Sequence, residues 1–361
     1  MKIRLITFHT PKNYGAVLQA YSLMSFLKKI TSDVKVIDFN TSHLQNVYPL
    51  KVHSNGLKGN IKAALDNCFL QKKKQKYQKF DAFVDEKLDL TERFDSFDKL
   101  RNTPPDADFY VTGSDQVFGP NRVEEERNAF YLNFGDERIQ RIAYAASFGV
   151  KEIPEERKQE IGSYLRRFDR ISVREESGIY IVEQVSGRTA VEVLDPVFLN
   201  DVEFWRQTSA PYAIGNKPYL LYYRLMSDKR SDESVRRIAA KKNLELIVVM
   251  DGFLTWRADH ILRDVGPQEL LYLIDHATFV ATDSFHGVAF SLIFEKQFFF
   301  CDYQKNLAER ALNLLEAAGA GQCAGLNGGI GYEILNYADV NKKLNERIAK
   351  SKAYLQDALR T

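Results

Sequence analysis

Five short polar clusters in this chain each follow an apolar, β-rich run, and their residue types are those that bind anions and move protons. Asn13-Tyr14-Gly15 follows Lys2 to His9, and Gly113-Ser114-Asp115-Gln116 follows Tyr110 to Thr112. Ser147-Phe148-Gly149 follows Ala143 to Ala146, Arg174-Glu175 follows Ile171 to Val173, and Asp283-Ser284-Phe285-His286-Gly287 follows Phe279 to Thr282. A guanidinium such as that of Arg174 matches a carboxylate or phosphate through two parallel hydrogen bonds. His286 falls in the first turn of an otherwise apolar helix, where the helix dipole suits a bound anion and an imidazole can deliver a proton near neutral pH.

Each of these residues also has a purely structural reading. Gly15, Gly113, Gly149 and Gly287 can serve tight turns between strand and helix. Asn13 and Ser284 can be plain helix N-caps, Asp115, with His286 a candidate catalytic residue, can instead cap a helix or pair locally, and Glu175 and Glu176 can neutralise Arg174. His286 can be a satisfied core histidine. His9 ends the first apolar run and could join the same site, whereas His43, His53, His260 and His276 show no spacing that argues for a role.

What places the clusters together is the order of elements. Strands are expected at Lys2–His9, Val34–Phe39, Asp108–Thr112, Ile139–Ala146, Arg170–Val173 and Ala190–Leu194, with helices at Tyr14–Ile30, Pro154–Phe168 and Glu175–Val185 between them. Such alternation gives mostly parallel sheets. Ligands of an open parallel sheet bind outside the carboxyl ends of its strands, where the next helix offers unpaired amides. All five clusters fall on that rim. Residues 41–105 interrupt the pattern and read as an insertion, with Lys72, Lys73, Lys74, Lys76 and Lys79 grouped around Tyr77. A looser segment near 196–217 reads as a linker. A second series of strands follows at Tyr219–Leu225, Leu244–Met250, Thr278–Thr282 and Gln297–Cys301, with helices at Asp232–Lys242, Pro267–His276, Phe285–Phe294 and Asn306–Ala318. The expected organisation is therefore an N-terminal α/β domain over 1–200, a second over 218–336, and a final helix over 337–361 that packs back on the first.

Composition removes several classes of function. The 361 residues carry 50 basic and 48 acidic side chains, a net charge of +2, so no global field would hold nucleic acid. With 45% apolar and 27% charged residues the composition is that of an ordinary globular protein. Cys68, Cys301 and Cys323 are odd in number and widely spaced, which makes neither a disulfide framework nor a metal site and suits a reducing cytoplasm. No metal or bound cofactor is implied. The longest uncharged run, 317–332, contains six glycines and cannot span a bilayer. The lysine-rich stretch reads either as a solvated helix face or as a surface lying on anionic lipid at the inner face of the plasma membrane. Phosphate-loop, zinc-protease, nucleophile-elbow and dinucleotide signatures are missing from the sequence.

Seven blocks in order, NYGAVLQAYSL at 13–23, GSDQVF at 113–118, YAASFG at 144–149, ISVREESG at 171–178, LDPVFL at 194–199, VGPQELLYLI at 265–274 and TDSFHGVAFSLIF at 282–294, resemble the polysaccharide pyruvyl transferase family. The resemblance implies a GT-B-like fold, two Rossmann-like domains with a cleft between them. It also implies transfer of pyruvate from phosphoenolpyruvate, a co-substrate, to a sugar or lipid-linked oligosaccharide acceptor in cell-surface glycan synthesis, closing a ketal on two hydroxyls. By the same resemblance Arg174 serves the donor and His286 is the general acid or a phosphate ligand. Two departures stand out. Ser284 replaces a family arginine, and Ala16 replaces an acid near the N-terminus. Arg224 and Arg310 are the candidates to restore the lost charge. A nucleotide-sugar glycosyltransferase and a non-catalytic glycan-binding protein are the competing readings.

Overall fold

The computed structural model describes residues 1–51, 67–226, 228–301, 305–325 and 334–360, with the side chains of 305–308 left aside. Two parallel sheets organise the chain. The first runs in the order β3-β2-β1-β4-β5-β6-β7, built from β1 (Lys2–Ile6), β2 (Asp33–Phe39), β3 (Leu90–Phe94), β4 (Phe109–Thr112), β5 (Gln140–Ala146), β6 (Arg170–Val173) and β7 (Val191–Glu192). The second runs β10-β9-β8-β11-β12, from β8 (Tyr219–Tyr223), β9 (Glu245–Val249), β10 (His260–Leu262), β11 (Phe279–Thr282) and β12 (Phe298–Phe300).

Side-chain alternation explains why these runs are strands. Along β1, Ile3 and Leu5 join one buried cluster with Val36, Val111 and Tyr144, while Ile6 joins the cluster on the other face with Ile37, Phe39 and Tyr110. Burial on both faces is what a parallel sheet covered by helices requires. In the second sheet Leu220, Tyr222, Val248, Phe279 and Ala281 pack with Val235 and Ile238 from the helix Lys229–Lys242. No described helix is long and apolar enough to cross a membrane.

The chain forms two compact units: Met1–Tyr48, Val84–Asn200 and Glu346–Thr361 make one, and Pro49–Phe83 with Asp201–Asn345 make the other. The last helix, Tyr337–Ala358, thus begins in the second unit and ends in the first, where Leu355, Ala358 and Leu359 join the core and Ser351 Oγ accepts from Leu194 N at 2.9 Å.

Three elements differ from the sequence expectation. The segment 41–105 is not wholly an insertion on the first sheet: its last part supplies β3, paired with β2, and residues 49–83 belong to the second unit. An edge strand reading LTERF, with Glu92 and Arg93 exposed, carries none of the apolar signature of a central strand. The lysine-rich stretch is the helix Leu70–Lys87, and three of its lysines are taken up internally. Lys72 meets Asp264 at 2.8 Å, Lys76 meets Asp251 at 3.0 Å and Lys79 meets Glu269 at 2.7 Å. The segment near 196–217 is not a free linker: the helix Val202–Thr208 buries Trp205 against Phe290 at 4.9 Å and pairs Arg206 with Asp275 at 3.0 Å. Part of the polar loop after residue 51 and the glycine-rich turn before the last helix fall on 52–66 and 326–333, outside the described residues.

Burial fixes the reactivity of the three thiols. Cys301 and Cys323 are buried and Cys68 is exposed, and burial pushes the Cys323 thiol up to about 12. Only the thiolate attacks a disulfide reagent. Native protein titrated with such a reagent is expected to release one equivalent promptly, from Cys68, and the other two of its three thiols only on unfolding; mass spectrometry of the labelled peptides checks the assignment.

Candidate functional site

In each sheet the strand order reverses once, between β1 and β4 in the first and between β8 and β11 in the second. A crevice outside the carboxyl ends of the strands opens at such a reversal, because the two flanking loops leave in opposite directions.

On the first rim the loops after β4, β5 and β6 are tied into one network. Arg174, just past β6, donates from Nη1 to Asp195 Oδ2 at 2.7 Å and stands 3.5 Å from Asp115 Oδ1 through Nη2. Ser114 Oγ donates to the same Asp195 oxygen at 2.9 Å, and Asp195 Oδ1 accepts from Val197 N at 3.1 Å. Glu175 Oε1 accepts from Phe148 N at 3.2 Å, while its Oε2 faces Arg174 Nε at 4.0 Å without a hydrogen bond. Ser147 is buried, and its amide donates to Asp115 O at 2.9 Å. Burial works against the charge on Arg174, but Asp195, Asp115 and Glu175 outweigh it and raise the guanidinium above its ordinary value.

The loop after β4 is strained. Asp115 has φ 70° and ψ −172°, a conformation that costs a side-chain-bearing residue about 1–3 kcal/mol, and Ala145 at the end of β5 has φ 52°. The carboxylate and carbonyl of Asp115 hold it there, accepting from Gln116 N at 2.9 Å and from Val117 N at 2.7 Å. Gly149 is confined to glycine by its own φ of 68° and by the Gln116 side chain, 2.7 Å from where a Cβ would stand.

Asn13 is the N-cap of the helix Tyr14–Leu27, accepting from Ala16 N at 3.2 Å, and its amide donates to Tyr48 Oη at 3.1 Å. Gly15 is buried in the first turn of that helix. His9 is buried with Nδ1 3.1 Å from Thr7 O and Nε2 3.1 Å from Asp38 Oδ1, so both ring nitrogens are engaged. Arg122 was not among the expected residues. It donates to Gln116 O at 2.7 Å, pairs with Glu126 and lies 4.2 Å over the Phe8 ring. The isolated arginine in a loop gave no sequence signal; only contact with the Asp115 loop singles it out.

On the second rim Asp283 and Arg224 fix the loops flanking the reversal. Asp283 accepts from Leu225 N at 2.8 Å and Met226 N at 2.6 Å, and Arg224 grips Asp232 through Nε at 2.9 Å and Nη2 at 3.1 Å. Burial opposes the Arg224 charge, and the Asp232 hydrogen bonds override it. Ser284 caps the helix Phe285–Ile293, accepting from Gly287 N at 3.3 Å. His286 is buried in the first turn, with Phe285 edge-on at 5.0 Å. A Cβ at Gly287 would stand 2.2 Å from Thr282 Oγ1, so glycine is what lets this helix start close to β11. Arg310 sits in the second turn of Lys305–Ala318 and is half-buried. The structure thus gathers Arg174, Asp115, Ser114 and Ser147 on one rim and Arg224, Ser284, His286 and Gly287 on the other; Arg174 and His286 belong to different units.

Residues 13–305 match the family described as Polysaccharide pyruvyl transferase. Among solved structures, the UDP-GlcNAc 2-epimerase from Rickettsia bellii aligns with a TM-score of 0.51 at 12% identity, covering 99% of this chain and 95% of that one. The UDP-GlcNAc 2-epimerase from Neisseria meningitidis, bound to UDP-GlcNAc, aligns with a TM-score of 0.50 at 12% identity over 100% and 95%. At that identity the likeness concerns the fold alone, which is GT-B-like. No curated protein matches the sequence.

Two outcomes test this geometry. Asp195→Ala leaves the Arg174 guanidinium buried beside weaker partners, and chemical denaturation is expected to show a loss of about 3–5 kcal/mol. Burial raises the Asp283 carboxyl, with the Leu225 and Met226 amides pulling only part of the way back. A carboxyl raised on folding favours the folded state below the unfolded value, and that contribution is lost as pH rises through the folded one. Asp283→Asn should therefore flatten the decline in stability as pH rises through and above the ordinary aspartate range, read from denaturation midpoints.

Proposed function

The chain belongs to the polysaccharide pyruvyl transferase family, and from that membership we propose that it transfers pyruvate from phosphoenolpyruvate to a sugar acceptor, forming a ketal on a cell-surface glycan precursor. The ordered family match over residues 13–305 carries this reading. The second rim supports it chemically. Phosphoenolpyruvate carries a carboxylate and a phosphate a few bonds apart, and the start of a helix offers amides and a favourable dipole to such a dianion.

In this reading the N-terminal turn of the helix Phe285–Ile293 binds the donor phosphate, with Arg224 as the candidate for the charge of the arginine that Ser284 replaces. Arg310 is the second candidate for that charge. His286 protonates the methylene carbon C3. The C2=C3 electron pair takes that proton, C2 becomes electrophilic, and an acceptor hydroxyl oxygen bonds to it as its O–H bond breaks and its proton passes to solvent. Phosphate leaves with the C2–O electron pair, and a second hydroxyl bonds to C2 and closes the ketal, its proton passing to solvent. Arg174 takes a different part: enclosed by three carboxylates, it holds the first rim's loops in register. The reaction belongs in the cytoplasm, where phosphoenolpyruvate is available, with a free or lipid-linked sugar as acceptor. With Lys72, Lys76 and Lys79 engaged by acidic partners, contact with a membrane surface rests on the acceptor's lipid rather than on this helix.

Incubation with phosphoenolpyruvate and a panel of free and lipid-linked sugars is expected to release phosphate in step with the mass gain of a pyruvate ketal. His286→Ala should lower the rate by about 10²–10⁴-fold. Phosphate release unchanged in that variant would remove the acid assignment. Calorimetric heat with a nucleotide sugar and none with phosphoenolpyruvate would move the reading to glycosyl transfer.

A further inference from the structure

The second rim carries a feature that holding an anion does not require. β8 and β11 end level, Tyr223 beside Thr282, so the residues after them flank the reversal within the second unit. Asp283 bridges that gap: Oδ1 accepts from Leu225 N at 2.8 Å and Oδ2 from Met226 N at 2.6 Å. Arg224, the residue before, is held by Asp232, so the turn is pinned twice. Yet the side chains on this fixed backbone, Leu225 and Met226, are 53% and 43% exposed. Single exposed apolar residues are ordinary, whereas two in succession on a clamped turn mark a surface with a use. The clamp also works against the fold, because burial raises the Asp283 carboxyl and its ionised form is disfavoured near neutral pH. A contact kept at the expense of stability points to function. The helix Phe285–Ile293, with Ser284 as its cap and His286 in its first turn, starts from the same place.

The donor's chemistry gives such a pair of side chains a task. Once C3 is protonated, C2 is electrophilic and any oxygen nucleophile can bond to it. When water does so, its oxygen bonds to C2 and gives up both protons to solvent. Phosphate leaves with the C2–O electron pair, and C2=O closes to pyruvate instead of a ketal. An apolar surface beside the reacting carbons offers water no hydrogen bond and suppresses that side reaction. We propose that Asp283 is a positioning residue, which holds the Leu225–Met226 turn as an apolar lip beside the helix start, and that this lip keeps water from the activated donor. The assignment rests on the pyruvyl-transfer reading and uses residues of the second unit alone.

The test uses the full chain with phosphoenolpyruvate and an acceptor from the sugar panel, and it reads free pyruvate formed per ketal formed. That ratio does not move when a variant merely lowers the amount of folded protein. In the wild type it is expected to stay below about one tenth. Asp283→Asn sets a side-chain N–H against one of the two backbone N–H groups. Hydrogen exchange of the peptide holding Leu225 and Met226, read by mass spectrometry, should then quicken about tenfold, and the product ratio should rise about tenfold with it. Leu225→Ser and Met226→Ser, at exposed positions, keep the clamp and bring a hydroxyl that holds water, so they should raise the ratio without changing the exchange. They keep the test decisive if Asp283→Asn does not fold. A ratio unchanged in the serine variants, or exchange unchanged in Asp283→Asn, overturns the assignment while pyruvyl transfer stands. No phosphate released from phosphoenolpyruvate by the wild type overturns pyruvyl transfer, and the role of the lip falls with it.

Discussion

The ion pair between Arg174 Nη1 and Asp195 Oδ2, 2.7 Å long and buried on both sides, is the contact on which the first rim depends. Removing two charges from water is expensive, and the pair is stable only because further hydrogen bonds satisfy the atoms around it. Ser114 Oγ and Val197 N supply them on the Asp195 side. Through Ser114, Asp115 and Glu175 the same pair reaches the loops after β4, β5 and β6, so three separate stretches of sequence are held as one surface.

The second rim solves a similar problem with different chemistry. There a carboxylate, Asp283, binds two successive backbone amides across the strand-order reversal, and Arg224 is held by Asp232 from the following helix. Both rims place a strained or tightly packed backbone beside the reversal: Asp115 with φ 70° in one, Gly287 pressed against Thr282 in the other. Conformations of that kind persist where the surroundings over-determine them, which ties the strain to the site rather than to the sheet.

Much of this was legible beforehand. The strands of both sheets and the helices after them follow from apolar runs punctuated by glycine, proline and capping residues, because burial on both faces of a parallel sheet leaves a strong local signature. The elements that escaped include β3, β10 and the short helices Ser42–Asn46, Phe97–Asn102, Glu124–Phe130 and Val202–Thr208. Each lies at an edge or spans few residues, where exposed polar side chains are tolerated and periodicity is too short to read. The family blocks likewise follow from residue order alone, as the match over 13–305 bears out.

Side-chain partnership is another matter, since it joins residues far apart in the chain. That Asn13 and Ser284 are N-caps could be weighed locally, and the structure bears out that reading through Ala16 N and Gly287 N. That Arg174 is enclosed by Asp195, Ser114 and Asp115, 21 to 60 residues away, could not. Nor could the pairing of the lysine-rich helix with Asp251, Asp264 and Glu269. Residue type and spacing determined the strands, the helices and the rim on which the polar clusters fall, because those depend on neighbours within a few positions. Which charges neutralise one another was decided only by the tertiary structure, because electrostatic balance depends on distance through space.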